Sequence, residues 1–334
     1  MDTQYLPEIS ILISTKKRRE DLFNLLHSLK LLNYPEKKIE IIVVEETNSP
    51  LNIKGIKYIA IPEENKGFGY TRNIAVNNAS KEIIVFVDDD CMPEKNWLAE
   101  LVKPFKDDRI VGIAGSVKVK DCNTIGYCEN ILGFPGGGLK YIHKCNGRIE
   151  STKEISTLNA AYRKKAILEA GGFEEYGSQS GSEDYLLAKL ICRQNNCVYV
   201  PSAIVYHKVR GTFWKNLKWF VRRGKSDISI LNKLENPQNR LLWILRSSFL
   251  VKFFFITGTI YLLTSSLLTS FLIFSMLYGI KNFCAYSFSY KYLKNLKALF
   301  LTPVLKFVMD LGTDIGRIGF LISKDGRRYK LDSR

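Results

Sequence analysis

Residues 253–280 run for 28 positions without a charged side chain. A helix needs about 20 apolar residues to cross a bilayer, and helices of soluble proteins rarely stay uncharged for so long. With the apolar positions before Lys252 included, residues 241–280 are expected to form two spans around Thr264-Ser265-Ser266, or one long span. A third apolar segment, 296–322, is interrupted by Lys306, Asp310, Asp314 and Arg317. It is expected either to span inside a bundle or to lie in the interface. The competing reading is a buried helical hairpin of a soluble protein.

Charge is distributed to match. Residues 1–202 carry 27 Lys/Arg and 27 Asp/Glu, whereas residues 203–334 carry 22 and 6, so the whole net charge of +16 sits in the C-terminal part. A basic block asks for a polyanionic partner. Basic residues beside apolar helices favour an anionic membrane surface on the cytoplasmic side. Nucleic acid is set aside, because no recognition helix or stacking-aromatic pattern accompanies the block. The seven cysteines are odd in number and form no CxxC pair. They read as reduced, buried thiols of a cytosolic domain. The N-terminus shows no signal-peptide pattern, and the apolar run 9–13 has the length of a strand.

The first 200 residues alternate strands with helices. Strands are expected at 9–13, 39–44, 56–61, 82–87 and 198–205, and helices at 20–32, 71–79, 159–169 and 182–194. Ser182 stands where an N-cap would, and Gly171-Gly172 would stop the helix before it. Such alternation specifies an α/β fold with a mostly parallel, Rossmann-like sheet. Ligands of such sheets bind beyond the carboxyl ends of the strands, which points to residues 14–16, 45–47 and 88–90. The glycine-rich run 133–138 is either a mobile loop over a ligand or a surface turn.

Asp88-Asp89-Asp90 follows the most continuous apolar strand. Three adjacent carboxylates repel one another unless a cation sits among them. Asp88 and Asp90 flank one residue and can reach one ion, and oxygen ligands suit Mn²⁺ or Mg²⁺. His207, one of three histidines, comes just after the last strand and is a candidate third ligand. Glu183-Asp184 opens a helix after a Gly/Ser-rich run, 177–182. A carboxylate there suits a general base, or simply complements the helix dipole. Arg72, at a helix start after the turn 65–69, can hold a phosphate. Arg223, within Arg222-Arg223-Gly224-Lys225, can grip a diphosphate or lipid headgroups.

In order, Ile11-Leu-Ile-Ser-Thr15, Ile41-Ile-Val-Val-Glu-Glu46, Asn65-Lys-Gly-Phe-Gly-Tyr-Thr-Arg-Asn73 and Val85-Phe-Val-Asp-Asp-Asp90 form a set. Asn159-Ala-Ala-Tyr-Arg163, Gly171-Gly-Phe-Glu174, Glu183-Asp184 and His207 complete it. This set resembles the family 2 glycosyltransferases of the GT-A fold over roughly residues 7–225. The resemblance implies that Asp88 and Asp90 are the metal-binding DxD pair, with His207 as additional ligand. It implies that Asp184 is the catalytic base supported by Glu183. Thr15, Glu45, Arg72, Asp88 and Asp89 fall where the family meets the donor nucleotide. The reaction implied is a single displacement with inversion at the anomeric carbon. Two departures stand out: Glu45-Glu46 replaces the usual Asp-Asp, and Lys16-Lys17 replaces an aromatic residue and an asparagine.

The expected organisation is a catalytic domain over 1–225, a basic linker over 226–240, membrane helices within 241–282, and a third membrane-associated helix with a basic tail over 283–334. The expected partners are a nucleotide-sugar donor, a lipid-linked or glycan acceptor and membrane lipids, with the catalytic domain facing the cytosol of a multi-pass membrane protein. Oligomeric state is left open. Two alternatives stand beside this reading. One is a polyprenyl-phosphate glycosyltransferase, and the other a non-catalytic glycan-binding membrane scaffold.

Overall fold

The computed structural model describes residues 5–64, 66–175, 183–234 and 236–323. Contacts divide the chain into two compact units, Met1–Asp121 with Gly133–Lys208 and Cys122–Leu132 with Val209–Arg334. The Ser182 cap, the Gly/Ser-rich run before it, Asn65 of the glycine turn and the basic tail lie outside the described residues.

The first unit opens with β1 (Ile9–Thr15), α1 (Arg19–Leu29), β2 (Ile39–Glu46), β3 (Lys57–Ile61), α2 (Phe68–Asn78) and β4 (Ile83–Val87). It continues with β5 (Cys91–Pro93), α3 (Trp97–Val102) and β6 (Ile110–Lys118). After α4 (Thr124–Ile131), which belongs to the second unit, come α5 (Gly138–Cys145), β7 (Glu150–Ser151), β8 (Asn159–Arg163), α6 (Lys164–Glu169), α7 (Glu183–Gln194) and β9 (Asn196–His207). The main sheet path is β3-β2-β1-β4-β8-β6-β9-β5, with β7 paired to β9. β3, β2, β1 and β4 are mutually parallel, as are β6 and β9. β8 enters antiparallel between β4 and β6, and β5 runs antiparallel to β9.

Strands with both faces covered read as continuous apolar runs, and β1 and β4 do. On one face Ile9, Ile11 and Ile13 pack with Val85, Val87 and with Leu22, Leu25 and Leu29 of α1. On the other, Leu12, Ile42, Ile84 and Phe86 pack with Ala75 and Val76 of α2. The alternation follows from the two-residue period of a strand.

Residues 159–169, expected to be one helix, are instead a strand followed by a short helix. The cause is tertiary. The amide of Asn159 accepts from Trp97 Nε1 (2.8 Å) and donates to the carbonyls of Ser116 (2.8 Å) and Ala203 (2.9 Å). That side chain needs room: a Cβ at Gly115 would meet it at 2.4 Å. These bonds fix an extended segment where local propensity favours a helix. The glycine-rich run 133–138 is a chain of turns with Gly136 wedged against β6, where a Cβ would come within 2.5 Å of Val117.

The second unit is helical. It comprises α4, α8 (Phe213–Leu234), α9 (Pro237–Ser247), α10 (Phe249–Thr264), α11 (Leu267–Tyr286), α12 (Ser289–Leu293) and α13 (Leu296–Ile322). α8 runs continuously across the expected boundary between a domain ending at residue 225 and a linker over 226–240. α8 and α13 approach closely through glycines. A Cβ at Gly224 would lie 2.0 Å from the Thr313 carbonyl oxygen, and one at Gly316 would lie 2.0 Å from that of Val221. Gly312 and Gly316 are four residues apart on one face, the spacing that lets helix backbones meet. The charged residues interrupting α13 are paired. Asp314 accepts from Ser248 Oγ (2.8 Å), Leu250 N (2.8 Å) and Arg317 (3.1 Å), and Arg317 reaches Asp227 (2.7 Å). Asp310 accepts from Lys306 and from Tyr278 Oη (2.9 Å).

The apolar segment breaks at Ser265-Ser266, between α10 and α11. By length and composition, α11 is long and apolar enough to cross a membrane. The stretches Gln238–Ser247 and Phe249–Thr264 pass the same test only together, with a bend of 63° between them.

Candidate active site

The carboxyl ends of β1, β2 and β4 carry the polar residues of the first unit. Asp88-Asp89-Asp90 forms the turn from β4 into β5, closed by Cys91 N donating to the Asp88 carbonyl (3.1 Å). β5 pairs with the end of β9 in a register that sets Cys91 opposite His207. The strands thus bring together Asp90 and His207, which are 117 residues apart in sequence.

His207 Nδ1–H donates to the carbonyl of Lys208, which turns Nε2 toward the acids. That Nε2 is 3.1 Å from Asp90 Oδ1. Asp90 Oδ1 is buried and accepts no hydrogen bond among the described residues. The two atoms are an ion pair when Nε2 carries a proton, and the same two atoms are close enough to share a metal ion instead. Among the described residues, the ligand atoms of Asp90, Cys91 and His207 lie within 4.8 Å of one another. The Cys91 thiol is a poor third ligand. Burial pushes its pKa well above the usual thiol range, the three aspartates add to this, and Sγ–H donates to the Leu158 carbonyl at 3.6 Å. What remains is a carboxylate and an imidazole, a set that suits Mn²⁺ or Mg²⁺.

The three aspartates have different surroundings. Asp89 accepts from Thr15 Oγ1 (2.7 Å) and Arg18 Nη1 (3.2 Å), which bolts the end of β1 to the end of β4. Burial pushes its carboxyl up to about 6, against the pull of Thr15 and Arg18. Asp90 Oδ2 accepts from the same Arg18 Nη1 (2.6 Å). Asp88 lies outside the Asp90–Cys91–His207 group. Its side chain is 36% exposed and 3.7 Å from Arg72 Nη2. Loss of hydration raises its pKa, opposed first by Arg72, and Asp90 and Asp184 raise it further. Added positive charge is what this cluster lacks.

Arg72 sits within α2, buried between the rings of Phe68 and Phe173. Its Nη1 donates to Glu183 Oε1 (2.6 Å), so Arg72 and Glu183 form a buried pair beside Asp88. Its anchorage is tight: a Cβ at Gly69 would lie 1.9 Å from the Glu174 carbonyl oxygen, and Asn73 bonds both the amide and the carbonyl of Phe173 at 2.8 Å. Removing one partner of such a pair leaves the other charge buried and uncompensated. Arg72→Met is expected to cost about 3–5 kcal/mol, read as a lowered denaturation midpoint of the purified full chain. An unchanged midpoint would show that the pair does not hold the folded state.

Asp184 follows at the start of α7, which carries no other acidic residue besides Glu183. Its Oδ2 accepts from Ser156 Oγ (2.9 Å) and its Oδ1 from the Tyr185 amide (2.7 Å). Glu183 is engaged by Arg72 at hydrogen-bond distance, whereas Asp184 is held by a hydroxyl and an amide. Glu45, expected to meet the nucleotide, accepts from Arg19 Nε (3.0 Å) with one oxygen and from Tyr58 Oη with the other. Glu46 pairs with Lys16 (3.0 Å). Thr15 is buried and spends its hydroxyl on Asp89. Arg223 belongs to the second unit, where its guanidinium lies 5.4 Å from the Trp219 ring centroid. The sequence did not single out Arg18, Ser156 or Tyr58. Their roles come from chain crossings that no local pattern encodes.

Residues 10–169 match the model of Glycosyl transferase family 2. The chain is 23% identical over 241 residues to "Glycosyltransferase AglE" of Haloferax volcanii, covering 68% of this chain and 75% of the relative. It is 24% identical over 238 residues to "Probable N-acetylgalactosaminyltransferase 7" of Caenorhabditis elegans, covering 61% of this chain and 39% of that relative. Among solved structures it resembles the mannosyltransferase PcManGT from Pyrobaculum calidifontis in complex with GDP-Man and Mn²⁺. The TM-score is 0.58 at 16% identity, covering 96% of this chain and 88% of the other. GalNAc-T7 with UDP, GalNAc and Mn²⁺ gives a TM-score of 0.50 at 15% identity, covering 69% and 48%. At these identities the structural likenesses speak for the fold, which is GT-A.

Proposed function

Taking the chain as a glycosyltransferase of GT-A fold with a family 2 segment, we propose that it is an inverting, metal-dependent enzyme acting at a membrane. It moves a sugar from a nucleotide-diphosphate sugar to a lipid-linked or surface-glycan acceptor. The observation that carries this reading is the convergence of Asp90 Oδ1 and His207 Nε2, 3.1 Å apart at the carboxyl ends of the strands. Asp90 and His207 hold Mn²⁺ or Mg²⁺, with Asp88 at the open side of the turn. The ion supplies charge neutralisation for the donor's diphosphate.

The residues of the chain supply the rest. Asp89, held by Thr15, keeps the turn in place. Arg72 holds Glu183 and faces Asp88, which fixes the start of α7 and so places Asp184. Asp184 takes the proton from the acceptor hydroxyl as the new C1–O bond forms and the C1–O bond to the diphosphate breaks. Glu45, Arg19 and Tyr58 shape the nucleotide side of the cleft as a locked unit rather than as one free carboxylate. The two solved structures hold Mn²⁺ with GDP-Man and with UDP and GalNAc, which agrees with this chemistry.

Membrane placement rests on the second unit. α11 meets the length and apolarity of a span. α8 exposes Lys215, Lys218, Arg222 and Lys225, spaced three and four apart on one face, a stripe suited to anionic headgroups or an anionic acceptor. That stripe favours one second reading, transfer to a polyprenyl phosphate. Product chemistry separates the two. With full chain in nanodiscs containing native lipid extract and a radiolabelled donor, we expect label that mild acid releases from the lipid as an oligosaccharide. Release of the labelled monosaccharide alone would establish the polyprenyl-phosphate reading instead. Donor binding without any labelled product would favour a scaffold.

A further inference from the structure

Arg18 bonds Asp90 through the oxygen that does not face His207. Its Nη1 lies 2.6 Å from Asp90 Oδ2 and 3.2 Å from Asp89 Oδ1. The two carboxylates are almost fully covered, whereas the Arg18 side chain is 52% exposed. The guanidinium is thus held from outside by buried acids, on a long side chain extending from the residue just before α1. We propose that Arg18 is an internal counter-ion of the Asp89–Asp90 pair, in competition with the metal for Asp90. Its partial release on metal loading frees the guanidinium for the donor's diphosphate. The inference rests on the metal reading above and deepens it.

The physical case is a charge count at one carboxylate. Asp90 offers Oδ1 to the space shared with His207 and Oδ2 to Arg18. A divalent ion on Oδ1 would sit a few ångströms from a guanidinium on Oδ2. Two cations at that range repel, and the repulsion is weakened but not abolished where one is half in water. Arg18 therefore makes two opposed contributions. Without the ion it neutralises acids that burial makes costly to ionise. With the ion present it is surplus positive charge beside the cleft. A diphosphate arriving at the metal takes up that surplus, because a planar guanidinium pairs readily with phosphate oxygens. Metal and donor then bind with positive coupling, each favouring the state in which Arg18 has left Asp90. A purely structural arginine would predict none of this, since its loss could only loosen the turn and weaken the site.

The test reads Mn²⁺ binding to the full chain in nanodiscs by electron paramagnetic resonance, without any donor. Arg18→Gln is expected to bind Mn²⁺ about tenfold more tightly than the wild type, the low end for a neighbouring charge. Arg18→Lys, which keeps the charge, is expected to stay near the wild type. With Mn²⁺ saturating, GDP and UDP are then titrated, and whichever binds the wild type should bind Arg18→Gln about tenfold more weakly. Unchanged or weaker Mn²⁺ binding in Arg18→Gln would overturn the proposal, and so would equal tightening in Arg18→Lys. Asp90→Asn separates this from the underlying reading. If that variant binds Mn²⁺ as the wild type does, the metal assignment itself fails. If it loses Mn²⁺ while Arg18→Gln is unaltered, only the role of Arg18 fails.

Discussion

Asp90→Asn is expected to lower donor turnover by about a thousandfold or more while leaving the protein folded. Loss of a preorganised charge at the leaving group typically costs two to three orders of magnitude per interaction. The substitution is nearly isosteric. It removes the anion that faces His207 Nε2 and offers an amide group in place of one carboxylate oxygen. Arg18 keeps Asp89 as a partner, and Thr15 still bonds Asp89, so the turn remains anchored. Turnover measured as nucleotide release, alongside a circular-dichroism melt, separates lost chemistry from lost structure. Turnover within tenfold of wild type would remove Asp90 from the machinery.

The second large effect is expected at Asp184. Asp184→Ala should reduce kcat by about 10²–10⁴-fold, the usual worth of a positioned general base, with little change in the affinity for the donor nucleotide. The asymmetry follows from the geometry. Glu183 is tied to Arg72 at 2.6 Å, whereas the partners of Asp184 are a serine hydroxyl and its neighbour's amide. A carboxylate held by such neutral donors is oriented, and can exchange one of these bonds for an acceptor hydroxyl. Steady-state kinetics on the full chain, with nucleotide affinity measured separately, checks this. A rise in donor KM with kcat unchanged would assign Asp184 to binding instead.

Much of the fold is legible in the sequence where periodicity is strong. Ile9, Ile11 and Ile13 on β1 and the Leu22, Leu25, Leu29 ladder on α1 announce a strand and a helix, and the sheet with its covered faces follows. The strand β6 escapes notice because Gly112 and Gly115 interrupt its apolar run. Both glycines are there for room: a Cβ at Gly112 would lie 2.9 Å from Cys197 Sγ, and one at Gly115 would strike Asn159. The same contact explains why Asn159-Ala-Ala-Tyr-Arg163 is a strand although its composition suits a helix. A side chain that bonds across three other elements overrides local preference.

The candidate site is legible to a similar depth. Asp88-Asp89-Asp90 at a strand end signals a cation, but only the pairing of β5 with β9 shows that Asp90 rather than Asp88 meets His207. Adjacent carboxylates look alike in sequence. Their division of labour comes from Thr15, Arg18 and Arg72, each reaching one or two of them from a different element. Glu45 likewise signals a nucleotide contact by its position, yet Arg19 and Tyr58 occupy both of its oxygens. Long-range pairings of this kind carry no periodic trace.

The most direct measurement is nucleotide release by the full chain in nanodiscs with native lipid extract. UDP-, GDP- and dTDP-sugars are each offered after EDTA stripping, with and without restored Mn²⁺. Release from one donor that is absent after stripping and returns with Mn²⁺ is the expected result. Equal release before and after stripping would contradict a metal held by Asp90 and His207, and no release from any donor in the presence of Mn²⁺ and lipid would contradict the enzyme itself.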